Sequence, residues 1–449
     1  MSVYSSSNKT LNNESVGTKF TDLQSYGELE NNYMYGGEDA FSFFNRGIKR
    51  CMPFSQVPIE IEKCNGTPNF GYTWSLVINN NDGDYLSNAW LVLELPEIIL
   101  KENNIFGENG YLRWTENFMH NVIEEITLTF NETVVSKLDN FALDFLSEFN
   151  TSNDKYERYS RSIGNIPELV LPSKKLPSKK LFLPLPLFFC KDTGNAIPLT
   201  ALPHTEIRIN IRFRPWDNLL ILENCTSIQP LPTIPVVGRD IEDVPKFKSA
   251  KQFCTFITVS DEERMKLGVK TRFMIIDQIQ TSPRQMVSKD DNTRIDLLFK
   301  QSVKTLFFAI RNTTYKNIWS NYNYDHDRFT GGIFIKNTGK EIVKTASINY
   351  NDKSRVVKMP SDYFHFINPW YHCQRTPLKD GIYTYNFSLD LNKVDPCGGV
   401  ALSKVHNPTL NIELTEESKK TEDNYELVVV AVSNNVLKIS EGVVSFPVV

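Results

Sequence analysis

Three consecutive residues in the second half of the chain are candidates for holding a metal ion. Asp325, His326 and Asp327 combine two carboxylates with an imidazole, and both groups are ligands of divalent cations. Adjacent residues on an extended chain point to opposite faces, however, so the three side chains do not converge. The surrounding segment at 319–329, WSNYNYDHDRF, is polar and rich in Tyr and Asn. The pattern therefore favours a solvated loop over a metal site.

A second candidate for chemistry is the dipeptide His372-Cys373, since a histidine can activate a thiol. Sequence neighbours rarely reach the geometry of nucleophilic catalysis, and the preceding Trp370 and Tyr371 indicate packing in a core or an interface. The sequence has no GxSxG, HExxH, Walker-type GxxxxGK(S/T) or GxGxxG pattern. We therefore predict that the protein is not an enzyme, has no catalytic, cofactor-binding or metal-binding residues, and needs no cofactor.

The composition is that of a globular chain with room for two domains. The 449 residues exceed one ordinary core, and 29 Phe and 18 Tyr favour many short strands. The formal net charge of −4 argues against nucleic-acid binding, which needs a concentrated basic field. The one basic cluster, LPSKK-LPSKK at 171–180, is interpreted as a solvated loop. We therefore predict no direct contact with nucleic acid.

The cysteines and the apolar segments indicate whether the chain is secreted or inserted into a membrane. None of the seven cysteines forms a CxxC pair, so reduced thiols are the default, and whether any of them pair stays open. The N-terminus is polar and lacks the apolar stretch of a secretory signal. The longest apolar run, 181–190, is far short of the roughly 20 residues that cross a bilayer. We therefore expect no transmembrane segment.

Apolar and polar residues alternate along many segments with a period of two, which is typical of half-buried strands. Four blocks of such segments recur in the same order in the second half, as an internal repeat does. The matched blocks are 73–78 with 294–299, 89–95 with 305–312, 126–132 with 346–352, and 181–189 plus 206–213 with 382–391 plus 409–414. In the third block Asn131 matches Asn351. Helical pattern is sparse, and its clearest cases are 138–149 and a turn that opens at Ser260.

The repeat predicts an all-β fold. Each copy has about eight strand-like segments, enough for two four-stranded sheets around one core. The predicted architecture is two tandem eight-stranded jelly-roll β-sandwiches (a double jelly roll) with short helices in loops. The predicted boundaries are an N-terminal arm at 1–38, a first jelly roll at 39–225, a Pro-rich linker at 226–245 and a second jelly roll at 246–449.

The segment 181–222 contains Leu-Pro-Leu-Pro, then Asp-x-Gly-x-Ala-x-Pro, then Leu-Pro-x-x-Glu-x-Arg-Ile. Further stretches of the same character are FTDLQSYGELENNYMYGGEDAFS at 20–42, GDYLSNAWLVLELP at 83–96, NGYLRWTENFMHNVIEEITLTFN at 109–131, QIQTSPR at 278–284, NPWYH at 368–372 and the C-terminal SEGVVSFPVV. In this order they resemble the major capsid proteins of nucleocytoplasmic large DNA viruses, closest to those of iridoviruses and ascoviruses. The resemblance extends over nearly the whole chain.

The resemblance implies a structural role and a set of partners. Members of this family form homotrimers whose six barrels give a pseudo-hexagonal outline. Such trimers tile an icosahedral shell over an internal membrane, in contact with neighbouring capsomers, minor capsid proteins and a separate vertex protein. The implied location is the capsid of the virion, after assembly in the host cytoplasm.

Other functions stay open on the residues alone. Jelly-roll sandwiches also serve as carbohydrate-binding or host-attachment proteins, in which exposed aromatic residues stack on sugars. Trp319, Tyr322 and Tyr324 are the candidates for that role. A cupin-type enzyme is a third possibility, but it needs clustered histidines and the six here are scattered. Glycan binding would favour the second reading, and a stable trimer that assembles into sheets would favour a capsid protein.

Two segments carry predictions about orientation. The arm at 1–38 is too short to fold alone and is predicted to lie along the inner, membrane-side base of the capsomer. The long polar loop at 313–345 follows a strand equivalent to the one before 97–121. We predict that 313–345 projects from the outer surface.

Overall fold

The structure is a computed structural model of the chain. It describes residues 21, 25, 33–35, 38, 40–45, 47–226, 234–269, 271–289, 293–325, 327–330, 333–335, 340–351 and 353–447. Residues 1–52 form one unit and residues 53–449 form a second, larger one, which contains both predicted sandwiches. Most of the predicted arm, including its apolar Phe20 and Leu23, lies outside the described residues.

The first part of the larger unit consists of strands joined by turns and short helices. In chain order the strands are β1 (Phe54–Glu60), β2 (Cys64–Asn65), β3 (Thr73–Ile78), β4 (Tyr85–Glu94), β5 (Ile98–Ile99), β6 (Gly110–Trp114), β7 (Ile123–Phe130), β8 (Thr133–Asp139), β9 (Lys175–Leu176), β10 (Lys180–Pro184), β11 (Ile197–Pro198), β12 (Ile207–Phe213), β13 (Leu220–Asn224), β14 (Ile234–Pro235) and β15 (Ser249–Val259).

The second part has the same character. Its strands are β16 (Arg272–Thr281), β17 (Gln285–Met286), β18 (Thr293–Asp296), β19 (Ser302–Asn312), β20 (Arg328–Thr330), β21 (Ile333–Ile335), β22 (Val343–Tyr350), β23 (Lys353–Pro360), β24 (Ile382–Asn386), β25 (Pro408–Leu414), β26 (Tyr425–Ser440) and β27 (Val443–Ser445).

Short helices lie in the connections between strands. The α-helices are α1 (Phe118–Asn121), α2 (Asn140–Asn150), α3 (Asn153–Ser162), α4 (Pro167–Val170), α5 (Phe188–Lys191), α6 (Asp261–Val269), α7 (Asn368–His372) and α8 (Glu416–Lys420). A π-helical turn at Tyr363–Ile367 leads directly into α7. The predicted helices are confirmed: α2 begins behind Asp139, whose carboxylate accepts a hydrogen bond from the Ala142 amide, and α6 follows Ser260.

Both sandwiches have one topology. In the first, the sheets have the strand orders β1-β15-β4-β10 and β3-β12-β7-β8, and in the second β16-β26-β19-β24 and β18-β25-β22-β23. If the eight main strands of each sandwich are numbered from its start, both run 1-8-3-6 in one sheet and 2-7-4-5 in the other. All these neighbours are antiparallel. This is the predicted double jelly roll.

The alternation of apolar and polar residues along the strands explains why each sheet buries one face. In β12, Ile207, Ile209, Ile211 and Phe213 are buried, and the polar residues between them lie further out. The sandwich interior is apolar because a strand sends successive side chains to opposite faces. The prolines of 181–189 are accommodated because β10 is an edge strand, where a missing amide donor costs no ladder bond.

The internal repeat is confirmed strand by strand. The blocks matched in the sequence fall on β3 and β18, β4 and β19, β7 and β22, β10 and β24, and β12 and β25. Asn131 and Asn351 lie in equivalent turns of the two sandwiches, between the fourth and fifth strands. Their φ angles are 54° and 47°, a left-handed conformation that asparagine tolerates. Each amide donates to a carbonyl just before the seventh strand, that of Glu206 at 2.7 Å and that of His406 at 2.9 Å.

The predicted domain boundaries need a correction. β15 was assigned to the second jelly roll, but it pairs with β1 and β4 and so completes the first sandwich as its eighth strand. The Pro-rich segment 226–245 is therefore not the connection between sandwiches. In its described part, Val236 and Ile241 are buried in the first core. The chain passes from the first sandwich to the second through α6, between Val259 and Arg272.

Candidate functional site

Helix α2 joins the two sandwiches through aromatic contacts. It belongs to the first sandwich, and its Phe149 ring stacks on Phe307 of β19 with centroids 5.1 Å apart and an interplanar angle of 12°. Phe145, one turn earlier, lies 6.0 Å from Phe307 and 5.8 Å from Tyr322. These side chains cover the outer face of the sheet that contains β19. The helix thus acts as the hydrophobic bridge between the two halves.

A buried carboxylate anchors the same helix to the second sandwich. Asp144 accepts hydrogen bonds from Ser320 Oγ at 2.6 Å, Tyr322 Oη at 2.9 Å and Asn117 Nδ2 at 2.9 Å. Nδ1 of His120 lies 2.7 Å from the carboxylate. Burial disfavours the charged form, but the hydrogen bond from His120 and its charge outweigh burial and hold the pKa of Asp144 below its usual range. The sandwiches therefore share a network around one charge.

Two further ion pairs cross the contact beside the Asp144 network. Arg375 Nη2 lies 2.6 Å from Glu148 Oε2, with both side chains almost fully buried, and the guanidinium stacks over the Tyr156 ring at 3.5 Å. Lys379 Nζ lies 3.0 Å from Glu116 Oε2. In both pairs the carboxylate comes from the first sandwich and the cation from the second. These pairs set the relative position of the sandwiches, because an unpaired buried charge is costly.

Trp319 lies inside this contact, which corrects the prediction that it is exposed. Its indole is held between two guanidinium groups, Arg214 at 3.4 Å and Arg311 at 4.0 Å from the ring. Its Nε1 donates to the Asn218 carbonyl at 2.9 Å. Stacking of cations on both faces of an indole is favourable when the groups are desolvated. The ring is therefore unavailable to a sugar.

The other two aromatic candidates for sugar binding are engaged as well. Tyr322 is buried and donates to Asp144. Tyr324 is half-buried, and its hydroxyl donates to Glu417. The prediction of an exposed aromatic platform is therefore wrong, because the segment packs on the first sandwich. The reading as a carbohydrate-binding protein loses the residues on which it depended.

The long loop 313–345 does not project along its whole length. Its first part is buried between the sandwiches through Tyr315 and Ile318, in addition to the aromatic residues described above. Further along the loop, β21 is solvent-facing, with Ile333 67% and Ile335 44% exposed. Apolar residues spaced among the Asn residues account for the difference, since they bury when a neighbouring face is available.

The candidate metal ligands do not form a described site. Asp325 is half-buried, Asp327 is buried, and His326 lies outside the described residues. Within the described part of the chain, no group of three or more His, Cys, Asp or Glu side chains could hold a metal ion.

His372 and Cys373 are engaged separately. Nδ1 of His372 lies 3.0 Å from the Leu389 carbonyl. The Cys373 thiol accepts from Asn386 Nδ2 at 3.5 Å, and burial raises its pKa to about 12. A thiol with so high a pKa stays protonated at neutral pH and is a poor nucleophile.

The lysine-rich repeat at 171–180 is neutralised locally. Lys175 lies 2.7 Å from Glu97, and Lys179 lies 2.6 Å from Glu168. These ion pairs reduce the positive field of the cluster, on which phosphate binding depends. Among the described helices, none is both long and apolar enough to cross a membrane.

The Asp144 network predicts a specific acid response. Because the pKa of Asp144 is lowered in the folded state, its ionised form stabilises the protein above the unfolded pKa of about 3.9, and that contribution is lost as pH falls through the lower folded value. Asp144→Asn is expected to lower the free energy of unfolding by about 1–3 kcal/mol at pH 7. The difference from wild type should shrink below about pH 4. Denaturant melts at several pH values test this, with exposed Asp296→Asn as control; a pH-independent difference would contradict it.

Two family models match the chain in succession. The model described as "Major capsid protein N-terminus" matches residues 42–250, and "Large eukaryotic DNA virus major capsid protein" matches residues 263–445. The gap between the two matches, 251–262, covers most of β15 and the start of α6.

Curated relatives match over nearly their whole length. The major capsid protein of Invertebrate iridescent virus 6 is 35% identical, and the alignment covers 98% of this chain and 100% of that protein. The major capsid protein of Tipula iridescent virus is 36% identical over 96% of this chain and 98% of its own. That of Frog virus 3 is 33% identical over 96% and 98%.

Solved structures share the fold. The PBCV-1 virus capsid protein in a quasi-atomic model superposes with a TM-score of 0.71 at 19% identity, covering 91% of this chain and 100% of its own. The Faustovirus major capsid protein superposes with a TM-score of 0.71 at 11% identity, covering 96% and 99%. Together with the two sandwiches and the nearly full-length relatives, these matches show that the chain belongs to the major capsid proteins of large eukaryotic DNA viruses, as an iridovirus-like member.

Proposed function

We propose that three copies of this capsid protein associate into a capsomer with a pseudo-hexagonal outline, which tiles the faces of an icosahedral shell. The observation that supports this most directly is the repeat of one topology within one chain. Two equivalent sandwiches per chain give a trimer six similar bodies.

Sedimentation of the purified chain tests the proposal. A trimer of the 51.6 kDa chain is expected at micromolar concentration, with more than ~1,000 Å² buried at each contact, as specific interfaces require. Light scattering that shows only monomer at these concentrations would contradict the trimer.

We also propose that the protein acts without catalysis. His372 and Cys373, the histidine–thiol pair that the sequence offers, hydrogen-bond to different partners, which supports this proposal. Its partners are then further capsomers, minor capsid proteins and a vertex protein, over an internal membrane that the chain itself does not cross. The proposed location is the virion capsid, after assembly in the host cytoplasm. Detergent-stripped particles should retain the chain in the shell fraction, and its release with lipid would contradict this placement.

Two segments are proposed to lie at opposite ends of the capsomer, namely the N-terminal arm and the hairpin of β20 and β21. The arm at 1–38 is proposed to contact a neighbour or a minor protein from the inner base of the capsomer. The hairpin of β20 and β21 replaces the whole loop as the candidate for the outward-facing feature, because Ile333 and Ile335 of β21 are exposed, whereas Tyr315 and Ile318 are buried.

A further inference from the structure

In the aromatic part of the contact between the two sandwiches, a helix lies on one side and a sheet on the other. The helix, α2, starts immediately after the fifth strand of the first sandwich, β8. Phe145 and Phe149 are the sixth and tenth residues after the end of that strand, and they face one way because they are one turn apart. The surface that receives them is the outer face of the 1-8-3-6 sheet of the second sandwich, with Phe307 on its third strand.

The second sandwich repeats the helix. Helical structure again starts immediately after the fifth strand, β23, in the π-helical turn and α7. Phe366 and Trp370 are the sixth and tenth residues after the end of β23. They are 48% and 73% exposed, and Ile367 and Tyr371 beside them are 51% and 74% exposed. We call these four residues the helix stripe. In the first sandwich the positions equivalent to Phe366, Ile367 and Trp370, which are Phe145, Leu146 and Phe149, are buried. In the second sandwich the stripe has no cover within the described chain.

The helix that carries the helix stripe is fixed to its own sandwich by packing and hydrogen bonds. Phe364 is fully buried beneath it, and Nδ1 of His365 lies 2.9 Å from the Ile382 carbonyl. The Asn368 side chain accepts from the Asn386 amide at 3.0 Å. The helix is therefore held on its own sandwich by one face, and its aromatic face points away. An ordered aromatic surface of this kind loses little conformational entropy when it binds.

The first sandwich repeats the sheet side of the contact. The outer face of its 1-8-3-6 sheet carries Trp90 on the third strand and Phe253 on the eighth, with rings stacked at 5.6 Å. Phe182 on the sixth strand is 46% exposed, and Pro58 on the first strand is exposed. Together they line a groove of about 450 Å³. We call these four residues the sheet groove. The equivalent face of the second sandwich is covered by α2, whereas Phe182 and Pro58 on this face stay exposed within the described chain.

We propose that the helix stripe of one copy packs into the sheet groove of the next copy, as a repeat between chains of the contact already made within the chain. The occupant is a second copy because the chain contains both halves of this contact, and the packing of α2 on the second sandwich shows that a helix at this position packs on a sheet face of this kind. Such a head-to-tail contact closes into a ring when the rotation permits. The inference rests on the proposed trimer and names the surface that forms it. Aromatic residues of this kind dominate the energy of protein interfaces.

Two charge substitutions test the contact. Trp370→Glu removes the helix stripe but leaves the sheet groove intact, and Phe182→Glu does the reverse. Both residues are exposed in the single chain, so folding should persist, which circular dichroism and melting temperature check. Each variant alone is expected to sediment as a monomer, with association weakened roughly 100-fold or more, as for an interface hot spot. Leu298→Glu, at an apolar residue that is 83% exposed and outside both surfaces, is the control and should stay trimeric.

Mixing the two variants provides the decisive measurement. The intact helix stripe of the Phe182→Glu chain can pack into the intact groove of the Trp370→Glu chain, but the ring cannot close. The mixture at tens of micromolar should therefore give a one-to-one heterodimer with twice the 51.6 kDa of one chain. A trimer formed by either variant alone, or a mixture that stays monomeric, would overturn the proposed contact. A wild-type chain that is itself monomeric would instead overturn the trimer on which the contact rests.

Discussion

Phe149→Ala is expected to lower the free energy of unfolding by about 3–5 kcal/mol, the usual cost of truncating a buried aromatic side chain. Phe149 is fully buried, and its ring stacks on Phe307 of the other sandwich at 5.1 Å. The truncation leaves a cavity between two bodies that are each well packed, so the structure can relax only in part. Denaturant-induced unfolding followed by fluorescence and circular dichroism measures the loss.

The matched control is Leu298→Ala, which removes a side chain that is 83% exposed. Surface truncations of this kind usually change stability by less than about 0.5 kcal/mol. If Phe149→Ala proved as mild as Leu298→Ala, then α2 would not be the hydrophobic bridge between the sandwiches. A melt in two separate steps would show in addition that the sandwiches unfold independently once the bridge is weakened.

Arg375→Met is expected to cost about 3–5 kcal/mol, because it leaves the Glu148 carboxylate buried without its cation. The two side chains are 1% and 3% exposed, and their charged atoms lie 2.6 Å apart. The double variant with Glu148→Gln should recover part of the loss, since it removes the uncompensated charge. Unfolding free energies of both single variants and the double variant form the cycle that measures the coupling.

A surface pair provides the comparison. Arg208 and Glu206 lie 2.7 Å apart, but both side chains are 40% exposed. Arg208→Met should therefore cost less than about 1 kcal/mol. Equal losses at the buried and the surface pair, or a double variant as unstable as Arg375→Met alone, would contradict the role assigned to Glu148 and Arg375.

The strands could be predicted because their signal is local. Alternation within 206–213 is enough to define β12, and the matching of blocks defined the second sandwich without any three-dimensional information. The match of Asn131 with Asn351 pointed to a real equivalence, since both adopt the left-handed conformation in the same turn. The place of β15 was wrong because its partners, β1 and β4, are far away in sequence. No local pattern tells an eighth strand of one sandwich from a first strand of the next.

The contact between the sandwiches could not be predicted for a related reason. Asp144 and His120 are unremarkable in the sequence, and Ser320, which donates to Asp144, is 176 residues away. Trp319 was expected to be exposed because its neighbours are polar, yet two distant arginines enclose it. The helical spacing of Phe145 and Phe149 was the one usable signal. It indicates an apolar face without saying what covers it.

Electron microscopy of the purified protein tests the central claim most directly. We expect particles of three chains with six similar bodies in a pseudo-hexagonal ring, in which the helix at 363–372 of each chain lies against the sheet of β4, β10 and β15 of the next. Averaged images that show single two-lobed monomers, or rings with another number of chains, would contradict it.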